Sequence, residues 1–454
     1  MNKLSKKTYY IYGMGVSYFI LDRIFVQWLN YFYLPPENSG LNALLTVRLL
    51  TLGFVLIRLV DAIADPVVGY LSDHSKSRYG KRSFFMMIGG IPLCLSMVLF
   101  FYPITTSQTA TFIYFVIVGS IFFVSYTLVG GPYNALVADL THTKEERINI
   151  STVQSVFRLI FSALPMILSG LLIAKFSPVG SKYSVEGFRK MVIIFSIIAA
   201  IGIYFCVFFL NETKITRNET KIKGASFRKT IKYIMNREVI LYFIGLFLFF
   251  TGFNIIQMVL SYFVTLLMPE AYNGGAMVSR LSTLLFIASA VFFPVTSIAT
   301  KKLGFKKVMI IDLVSIIIGI LIMIFFGLKL HSLTNFTSEY NYIIYMVYLA
   351  IAIIGAGISG AGFIFPPAML SEIATKVSNE SKVAVEGLLF GIQGFFLKLA
   401  FMTKAIISIN TIVYKSNLGE NGTQSATPSG VILTLLCAII LFVLSVVFYS
   451  LKKE

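Results

Sequence analysis

Long apolar runs alternate with short polar segments along this chain of 454 residues. An apolar run of about 20 residues is long enough to cross the hydrocarbon core of a membrane as a helix. Such runs lie near residues 8–33, 43–72, 84–104, 110–139, 148–175, 190–210, 238–268, 277–300, 306–328, 341–371, 384–411 and 430–450. The pattern therefore predicts an all-α integral membrane protein with twelve transmembrane helices.

A basic, polar segment divides these runs into two sets of six. A weak internal repeat agrees with the division, because aligning Pro66 with Pro294 places Asp73 opposite Lys301. We predict an N-terminal six-helix bundle at 1–210, a basic cytoplasmic linker at 211–237 and a C-terminal six-helix bundle at 238–454. Two related halves with a binding site between them at mid-membrane depth are typical of secondary transporters.

Composition supports the membrane interpretation. The chain is 57% hydrophobic and only 13% charged, whereas a soluble domain carries about 25% charged residues. The connecting segments of one alternating set hold most of the lysines and arginines, so the positive-inside rule places both termini and the linker in the cytoplasm. The net charge of +18 is thus assigned to topology in the plasma membrane, and no nucleic-acid partner is expected.

Three charged residues interrupt the second apolar run. Arg58, Asp61 and Asp65 fall on one face of a helix, because they are spaced three and four residues apart. Ionisable groups at membrane depth are costly, so they pair with one another or face an aqueous cavity and carry function. Two carboxylates on this face indicate a cation site. The alternative is that both only pair with Arg58 and other basic neighbours.

Several short motifs occur in an order that resembles one known family. They are Gly69-Tyr70-Leu71-Ser72-Asp73 with Arg78-Tyr79-Gly80-Lys81-Arg82, Asp61-Ala62-Ile63-Ala64-Asp65-Pro66, Pro132-Tyr133-Asn134-Ala135-Leu136, Glu145-Glu146-Arg147, and Glu386-Gly387-Leu388-Leu389-Phe390-Gly391 with Lys398. The first pair looks like the loop signature of the major facilitator superfamily. The full set is similar to the glycoside/pentoside/hexuronide:cation symporters of that superfamily, whose type member is the melibiose permease.

The resemblance implies that Asp61 and Asp65 bind the coupling cation and that Thr127 adds a neutral oxygen ligand. Hard cations take carboxylate, hydroxyl and carbonyl oxygens. Where the family can carry an asparagine between the two aspartates, this chain has Ala64, which offers no side-chain oxygen. A sodium ion then needs backbone or water oxygens, whereas a proton needs only a carboxylate. Both Na⁺ and H⁺ stay open as the coupling ion, and no other cofactor or metal is expected.

The substrate pocket departs from the family pattern. The type member binds sugar hydroxyls with acidic residues on helices one and four, and these positions correspond here to Ile20 and Gly130. Asp22 lies two residues from Ile20, about 200° around a helix, so it replaces the missing acid only if the helix is irregular. The candidate substrate contacts are Asp22, Trp28, Arg58, Tyr126, Gln154, Arg158, Gln393 and Lys398.

Some of these candidates have competing interpretations. Trp28 can stack on a sugar face, yet a tryptophan near a helix end is at least as often an interfacial anchor. Asp22 can form an ion pair instead of contacting a ligand. Arg158 and Lys398, which the internal repeat relates, can together hold an anionic group.

The loop after the second helix is a candidate cytoplasmic gate. Asp73, Arg78 and Arg82 carry charges that can pair in one access state and separate in the other. The alternative is that the basic loop only fixes the topology, and both roles are compatible.

Together these features predict a secondary active transporter for the cation-coupled symport of a small solute, foremost a sugar or glycoside, acting as a monomer in the lipid bilayer. A lysolipid or organic-anion symporter of the same fold is the alternative, and a non-transporting membrane sensor is a weaker one. An enzyme is not expected, because the three cysteines lie far apart without metal-ligand spacing. The chain also lacks a phosphate-binding glycine loop, which argues against ATP-driven transport.

Overall fold

The structure is a computed structural model that describes most of the chain. The described residues are 5–75, 77–104, 107–141, 144–210, 212–215, 236–269, 272–332, 338–366, 368–370, 372–373, 377, 386–418 and 422–451. The predicted linker at 211–237 lies largely outside them. Its described part includes a four-residue helix, Glu212–Ile215.

Twelve long helical segments follow one another in the described part of the chain. They are α1 at 6–33, α2 at Val47–His74, α3 at Ser83–Phe100, α4 at Gln108–Leu140, α5 at Lys144–Phe176, α6 at Val185–Phe209, α7 at Arg237–Leu267, α8 at Gly275–Leu303, α9 at Phe305–Ser332, α10 at Ser338–Ile358, α11 at Glu386–Ile412 and α12 at Pro428–Ser450. Among them, α3 to α12 are long and apolar enough to cross a membrane. This helical architecture agrees with the predicted all-α membrane class.

The first helix is irregular. It runs as α-helix at Lys6–Met14, 3₁₀-helix at Gly15–Tyr18, α-helix at Phe19–Ile24, π-helix at Phe25–Leu29 and α-helix at Asn30–Tyr33. A similar change occurs at the end of α10, which continues as a π-helical segment at Ser359–Ile364. Short π-segments inside α-helices occur frequently at functional sites.

Several helices begin at a side chain that caps them. The hydroxyls of Thr46, Ser107, Ser184 and Thr427 each accept a hydrogen bond from a backbone N–H in the first turn of the following helix. The first N–H groups of a helix have no partner within it, so these caps satisfy donors that would otherwise be costly to bury. The polar residues between the apolar runs therefore define where the helices start.

The described helices divide into two compact units. The N-terminal unit comprises Met1–Thr220 with the short pieces Gly274–Ser279 and Asn417–Ser425, and the C-terminal unit comprises the remainder. The main division falls within the predicted linker.

Aromatic packing around α1 forms the core of the N-terminal unit. The ring of Phe25 contacts the rings of Phe54, Phe100, Phe122 and Phe123 at centroid distances of 5.2 to 5.8 Å. Such pairs contribute about 0.5–1.5 kcal/mol each beyond the burial of their area. The buried first helix is thereby held against α2, α3 and α4, the helices that carry the candidate cation site and gate.

The C-terminal unit is built around α7, most of whose side chains are buried. This helix packs against α12 and α11, and α9 packs against α10 and α12. The start of α12 approaches the end of α11 very closely, because a Cβ atom added at Gly430 would overlap the carbonyl group of Ile412. Glycine is needed at this crossing for steric reasons.

Candidate cation and substrate sites

Helices α2 and α4 bring together the three predicted cation ligands. The Thr127 hydroxyl lies 3.2 Å from Oδ1 of Asp61 and 3.0 Å from Oδ1 of Asp65. The two aspartates are four residues apart on α2, so one turn of helix places both carboxylates beside the same residue of α4. The three side chains form one cluster of oxygen atoms, which is the donor set expected for a hard cation.

Arg58 lies against the same cluster. Its Nη1 donates to Oδ2 of Asp61 at 3.1 Å, and its guanidinium carbon lies 4.1 Å from the ring centroid of Phe123. Arg58 is 9% exposed and Asp61 is 1% exposed, whereas Asp65 belongs to the exposed class. Asp61 therefore has a buried, charge-compensated carboxylate, and Asp65 presents the more accessible one.

The chemistry of this cluster suits a positive ligand. Asp61 and Asp65 offer carboxylate oxygens and Thr127 offers a neutral hydroxyl oxygen, and hard cations take such ligands. Ala64 lies between the two aspartates and adds no side-chain oxygen, so a sodium ion would take the rest of its shell from backbone or water, while a proton needs one carboxylate only.

A cavity of about 440 Å³ in the N-terminal unit joins this cluster to the candidate gate. It is lined by Asp65, Val68, Gly69, Ser72, Arg82, Thr127, Gly131 and Ala135. Asp65 of the cluster and Arg82 of the candidate gate therefore line the same cavity.

At the gate, Arg82 is held by an acidic residue of α4. Its Nε lies 3.0 Å from Oδ2 of Asp139, and Lys81 Nζ lies 3.0 Å from Oδ1 of the same carboxylate. Arg82 Nη1 also donates to the Ser72 hydroxyl at 2.6 Å. The Arg82 guanidinium therefore connects α2, through Ser72, with α4, through Asp139.

The other two predicted gate residues take different positions. Arg78 donates to the hydroxyl of the adjacent Tyr79 at 3.0 Å, and both residues are exposed. The side chain of Asp73 lies outside the described residues. Of the two gate residues whose side chains the structure describes, Arg82 joins α2 to α4, whereas Arg78 pairs with its neighbour Tyr79.

The start of the linker also reaches the gate. Glu212 accepts hydrogen bonds from the backbone N–H groups of Arg82, at 3.0 Å, and Ser83, at 2.7 Å. These groups lie at the N-terminus of α3, where a negative charge is favourable. A side chain at Gly80 would collide with the Glu212 carboxylate. The carboxylate therefore caps α3 from a segment 130 residues further along the chain.

Several candidate substrate residues lie close together in the N-terminal unit. Asp22 pairs with the adjacent Arg23. Asp22, Arg23 and Arg158 all lie within electrostatic range of Tyr126. Tyr126 itself packs edge-on against Tyr18, with ring centroids 5.1 Å apart. This group mixes aromatic rings with charges of both signs, a composition suited to a polar organic solute.

The neighbouring face of α5 supplies further donors. Gln154 donates to the Asn134 side-chain oxygen at 2.9 Å. The Arg158 guanidinium carbon lies 4.5 Å from the ring centroid of Phe19, and its Nε is buried without a hydrogen-bond partner among the described residues. An unpaired donor on a charged group is costly in the interior, so Arg158 is a candidate for binding a ligand acceptor.

Trp28 takes a different environment from the other candidates. It is 0% exposed, its indole N–H donates to the Ser169 hydroxyl at 2.7 Å, and its ring packs against Tyr31 and Phe188. These contacts describe a satisfied core tryptophan on α1, with no exposed ring face for a sugar in this conformation. Trp28 is therefore not among the proposed substrate contacts.

The two candidates on α11 belong to the C-terminal unit. Gln393 donates to the Tyr242 hydroxyl at 3.2 Å, and that hydroxyl donates to the Pro366 carbonyl at 2.7 Å. Lys398 lies five residues further along α11 and is partly exposed. Gln393 is thus anchored to α7, while Lys398 presents a partly accessible cation.

Comparison with known proteins places the chain among transporters. Residues 10–452 match the model of the family described as MFS/sugar transport protein, where MFS denotes the major facilitator superfamily. The chain is 24% identical over 417 residues to the uncharacterized symporter YnaJ of Bacillus subtilis, covering 88% of this chain and 83% of that protein. It is 25% identical over 300 residues to the isoprimeverose transporter of Lactiplantibacillus pentosus, covering 65% and 59% respectively.

Solved structures show the same fold. The partially occluded inward-open xylose transporter XylE of E. coli superposes with a TM-score of 0.62 at 15% identity, covering 98% of this chain and 99% of that one. This likeness confirms the predicted fold class, the major facilitator fold. It carries no information about the substrate at this identity.

Proposed function

Because the chain belongs to the MFS/sugar transport family, we propose that it is a symporter that couples the movement of a cation, Na⁺ or H⁺, to the uptake of a small solute by alternating access. Membership confirms the predicted family and a multi-pass membrane transporter as opposed to an enzyme. The observation that carries the proposal is the cluster of Asp61, Asp65 and Thr127, which opens onto the cavity lined by Arg82.

Coupling would arise at this cluster. A bound cation adds a positive charge beside Asp61 and Asp65, and this change favours the state that binds substrate. By linkage, substrate then favours cation binding to the same extent. With one charge entering, a membrane potential of ~100 mV supplies roughly 2.3 kcal/mol, or about fifty-fold accumulation.

The gate would transmit this change. Arg82 binds Asp139 on α4 and donates a hydrogen bond to the Ser72 hydroxyl on α2. Arg82 and Asp65 line the same cavity. A cation at Asp65 lowers the negative potential that Arg82 experiences across the cavity. We propose that the Arg82–Asp139 contact stabilises one access state and breaks in the other, so that cation binding shifts the balance between them.

A sugar or glycoside is the proposed substrate class. Support comes from the name of the isoprimeverose transporter among the relatives and from the aromatic and polar side chains around Tyr126. The proposed contacts are Asp22, Tyr126, Gln154 and Arg158 in the N-terminal unit and Gln393 and Lys398 in the C-terminal unit.

An organic anion is the second candidate, and one observation favours it. The buried Nε of Arg158 lacks a partner among the described residues, and a carboxylate on the ligand would satisfy it with a charge-assisted hydrogen bond. A hexuronide unites both candidates, since it is a sugar that carries a carboxylate. Hexuronides therefore belong in any ligand panel.

We further propose a monomer in the plasma membrane with both termini in the cytoplasm. The excess of basic residues on the segments of one side supports this orientation. Each unit has its own buried core, and a single chain holds every proposed functional group.

The proposal is tested by ligand-dependent stabilisation of the purified full-length protein. Thermal unfolding is followed with sugars, hexuronides and other organic acids, each in Na⁺, Li⁺ or choline at two pH values, because a ligand that binds only the folded state raises its stability by mass action. We expect stabilisation by one ligand class that strengthens with one cation. Asp61→Asn and Asp65→Asn should each remove that cation dependence.

The matched control is Glu186→Gln. It removes a carboxylate at the exposed start of α6, where Glu186 pairs with Lys190 at 2.6 Å, and it should leave the cation dependence unchanged. If ligand binding in both aspartate variants keeps the full cation dependence of the wild type, the coupling role of this cluster is wrong.

A further inference from the structure

Asp312 is a further buried carboxyl group in the membrane-spanning region. It lies seven residues after the start of α9, about 10 Å along the helix, and is 7% exposed. It belongs to the C-terminal unit, separate from Asp61 and Asp65 in the N-terminal unit. Burying an ionisable carboxyl group in a membrane-spanning helix costs free energy, and such groups usually have a function.

The π-helical segment of α10 surrounds this carboxyl group. The Asp312 side chain accepts hydrogen bonds from the backbone N–H groups of Gly360 and Ala361. Its Oδ2 is nevertheless buried without a hydrogen-bond partner in the described part of the chain. A Cβ atom added at Gly360 would touch that same Oδ2, the methyl group of Thr296 and the ring of Phe365. The Asp312 Oδ2 thus lies where α10 approaches α9 closely.

No positive charge compensates this carboxyl group within the described residues. No salt bridge involves Asp312 there, and its hydrogen bonds come from backbone groups. The helices packed against α9 carry few charges: α7 has only Arg237 and Glu238 at its first turn, α10 has only Glu339, and α12 has none. On α9 itself the nearest basic residues are Lys306 and Lys307 at the helix start, and α8 carries Lys301 and Lys302 at its end.

The neighbouring hydroxyls are already engaged with each other. Thr296 Oγ1 and Ser359 Oγ lie 2.7 Å apart. A sodium ion prefers several oxygen ligands, whereas Asp312 Oδ2 is buried without a hydrogen-bond partner among the described residues. A proton needs no further ligands, because it converts the charged carboxylate into a neutral acid that an apolar pocket tolerates.

We propose that Asp312 is a proton-binding site of the C-terminal unit: its carboxylate takes up a proton to form the neutral acid when buried, and releases it to water when the π-helical segment of α10 moves aside. The internal repeat supports the location. Aligning Pro66 with Pro294 places Thr296 opposite Val68, which lines the cavity beside Asp65 in the N-terminal unit. The repeat thus relates Thr296, which lies close to Gly360, to a residue that lines the N-terminal cavity.

The Ser359–Ile364 segment suits such a movement. Its backbone is already π-helical, so its hydrogen bonds do not follow the regular α-helical ladder. Gly360 and Gly362 within it have no side chains to repack. A local return to α-helical geometry would change which N–H groups face Asp312 and open its Oδ2 to solvent.

Infrared difference spectroscopy of the purified full-length protein tests this proposal without any substrate. The protein is titrated from acid to alkaline pH in choline buffer, and the carbonyl band of protonated carboxylic acids is followed. We expect a band that persists at neutral pH and is lost in Asp312→Asn. The band should change position in Asp312→Glu, and it should remain in Asp61→Asn.

Two results would overturn the proposal. One is a band of unchanged size and position at neutral pH in both Asp312 variants. The other is loss of the Asp312 band on adding Na⁺ at constant pH, which would identify a sodium site instead. If Asp312→Asn does not fold, the position of the carbonyl band in Asp312→Glu tests the proposal in its place. Because no transport is measured, failure here leaves the symporter proposal standing.

Discussion

Replacing Arg58 by methionine should make the N-terminal cation cluster bind its cation more tightly. The Arg58 guanidinium lies 3.1 Å from the Asp61 carboxylate, and both side chains are almost fully buried. It therefore holds the place of a positive charge in the empty site. A cation that binds Asp61 has to compete with it, so Arg58 lowers the cation affinity while it stabilises the empty state.

The magnitude follows from the geometry. Two unit charges 3.1 Å apart attract by about 5 kcal/mol at an effective dielectric constant of about 20. Breaking a buried pair by removing one partner costs roughly 3–5 kcal/mol, because the other charge is left uncompensated. In Arg58→Met a bound cation recovers part of that loss. Recovery of only about 1.4 kcal/mol already raises the cation affinity tenfold, so we expect a gain of at least about tenfold.

Thermal unfolding of the purified protein measures this effect. In choline buffer Arg58→Met should be less stable than the wild type. The concentration of Na⁺ that gives half of the maximal stabilisation should fall at least about tenfold. If protons are the coupling ion, the corresponding H⁺ concentration should fall by the same factor. Arg58→Lys keeps the charge and is the control. In an Asp61→Asn background the same Arg58 substitution should have little effect, because the pair is already broken.

The opposite result would refute this reasoning. If Arg58→Met is as stable as the wild type in choline and responds to Na⁺ and to pH at the same concentrations, then Arg58 does not compete with the cation at Asp61. Its role would then be sought at the substrate, as the sequence pattern also allowed.

Two further substitutions test contacts of the fold. Trp28→Phe removes the indole N–H that binds Ser169. It should lower the free energy of unfolding by about 1–3 kcal/mol and leave the ligand affinity unchanged. A large loss of ligand affinity without loss of stability would restore Trp28 as a substrate contact. Glu212→Gln keeps the shape of the side chain but removes the charge at the N–H groups of Arg82 and Ser83. It should lower the free energy of unfolding by about 0.5–2 kcal/mol, measured by thermal unfolding. An unchanged unfolding temperature would show that the cap is not needed for stability.

The helices could be predicted from the sequence because hydrophobic length is a local property. Twenty apolar residues identify a membrane helix without knowledge of its neighbours. The placement of Asp61 and Asp65 on one face of α2 was likewise predictable, since it depends only on their spacing of four residues. Their roles as cation ligands stay a prediction.

Contacts between distant segments could not be predicted in the same way. Asp139 holds Arg82, and Glu212 caps α3, although 57 and 130 residues separate these pairs. A signal for Asp139 existed, because an acidic residue near the end of an otherwise apolar α4 requires a partner. The complete burial of Trp28 had no such signal, since every position around that part of α1 is buried and apolar residues show no periodicity there.

The change of helix type in α1 alters the direction in which Asp22 points. A 3₁₀-helix turns about 120° per residue and an α-helix about 100°, so the four residues Gly15–Tyr18 rotate everything after them by about 80° relative to a uniform α-helix. In a uniform helix Asp22 would point about 160° away from the direction that Ile20 takes. Ile20 and Asp22 both follow this segment, so the rotation turns both of them and leaves the angle of about 160° between them unchanged. The overwound turn thus acts as a change of angular phase between the part of α1 before Gly15 and the part that carries Asp22.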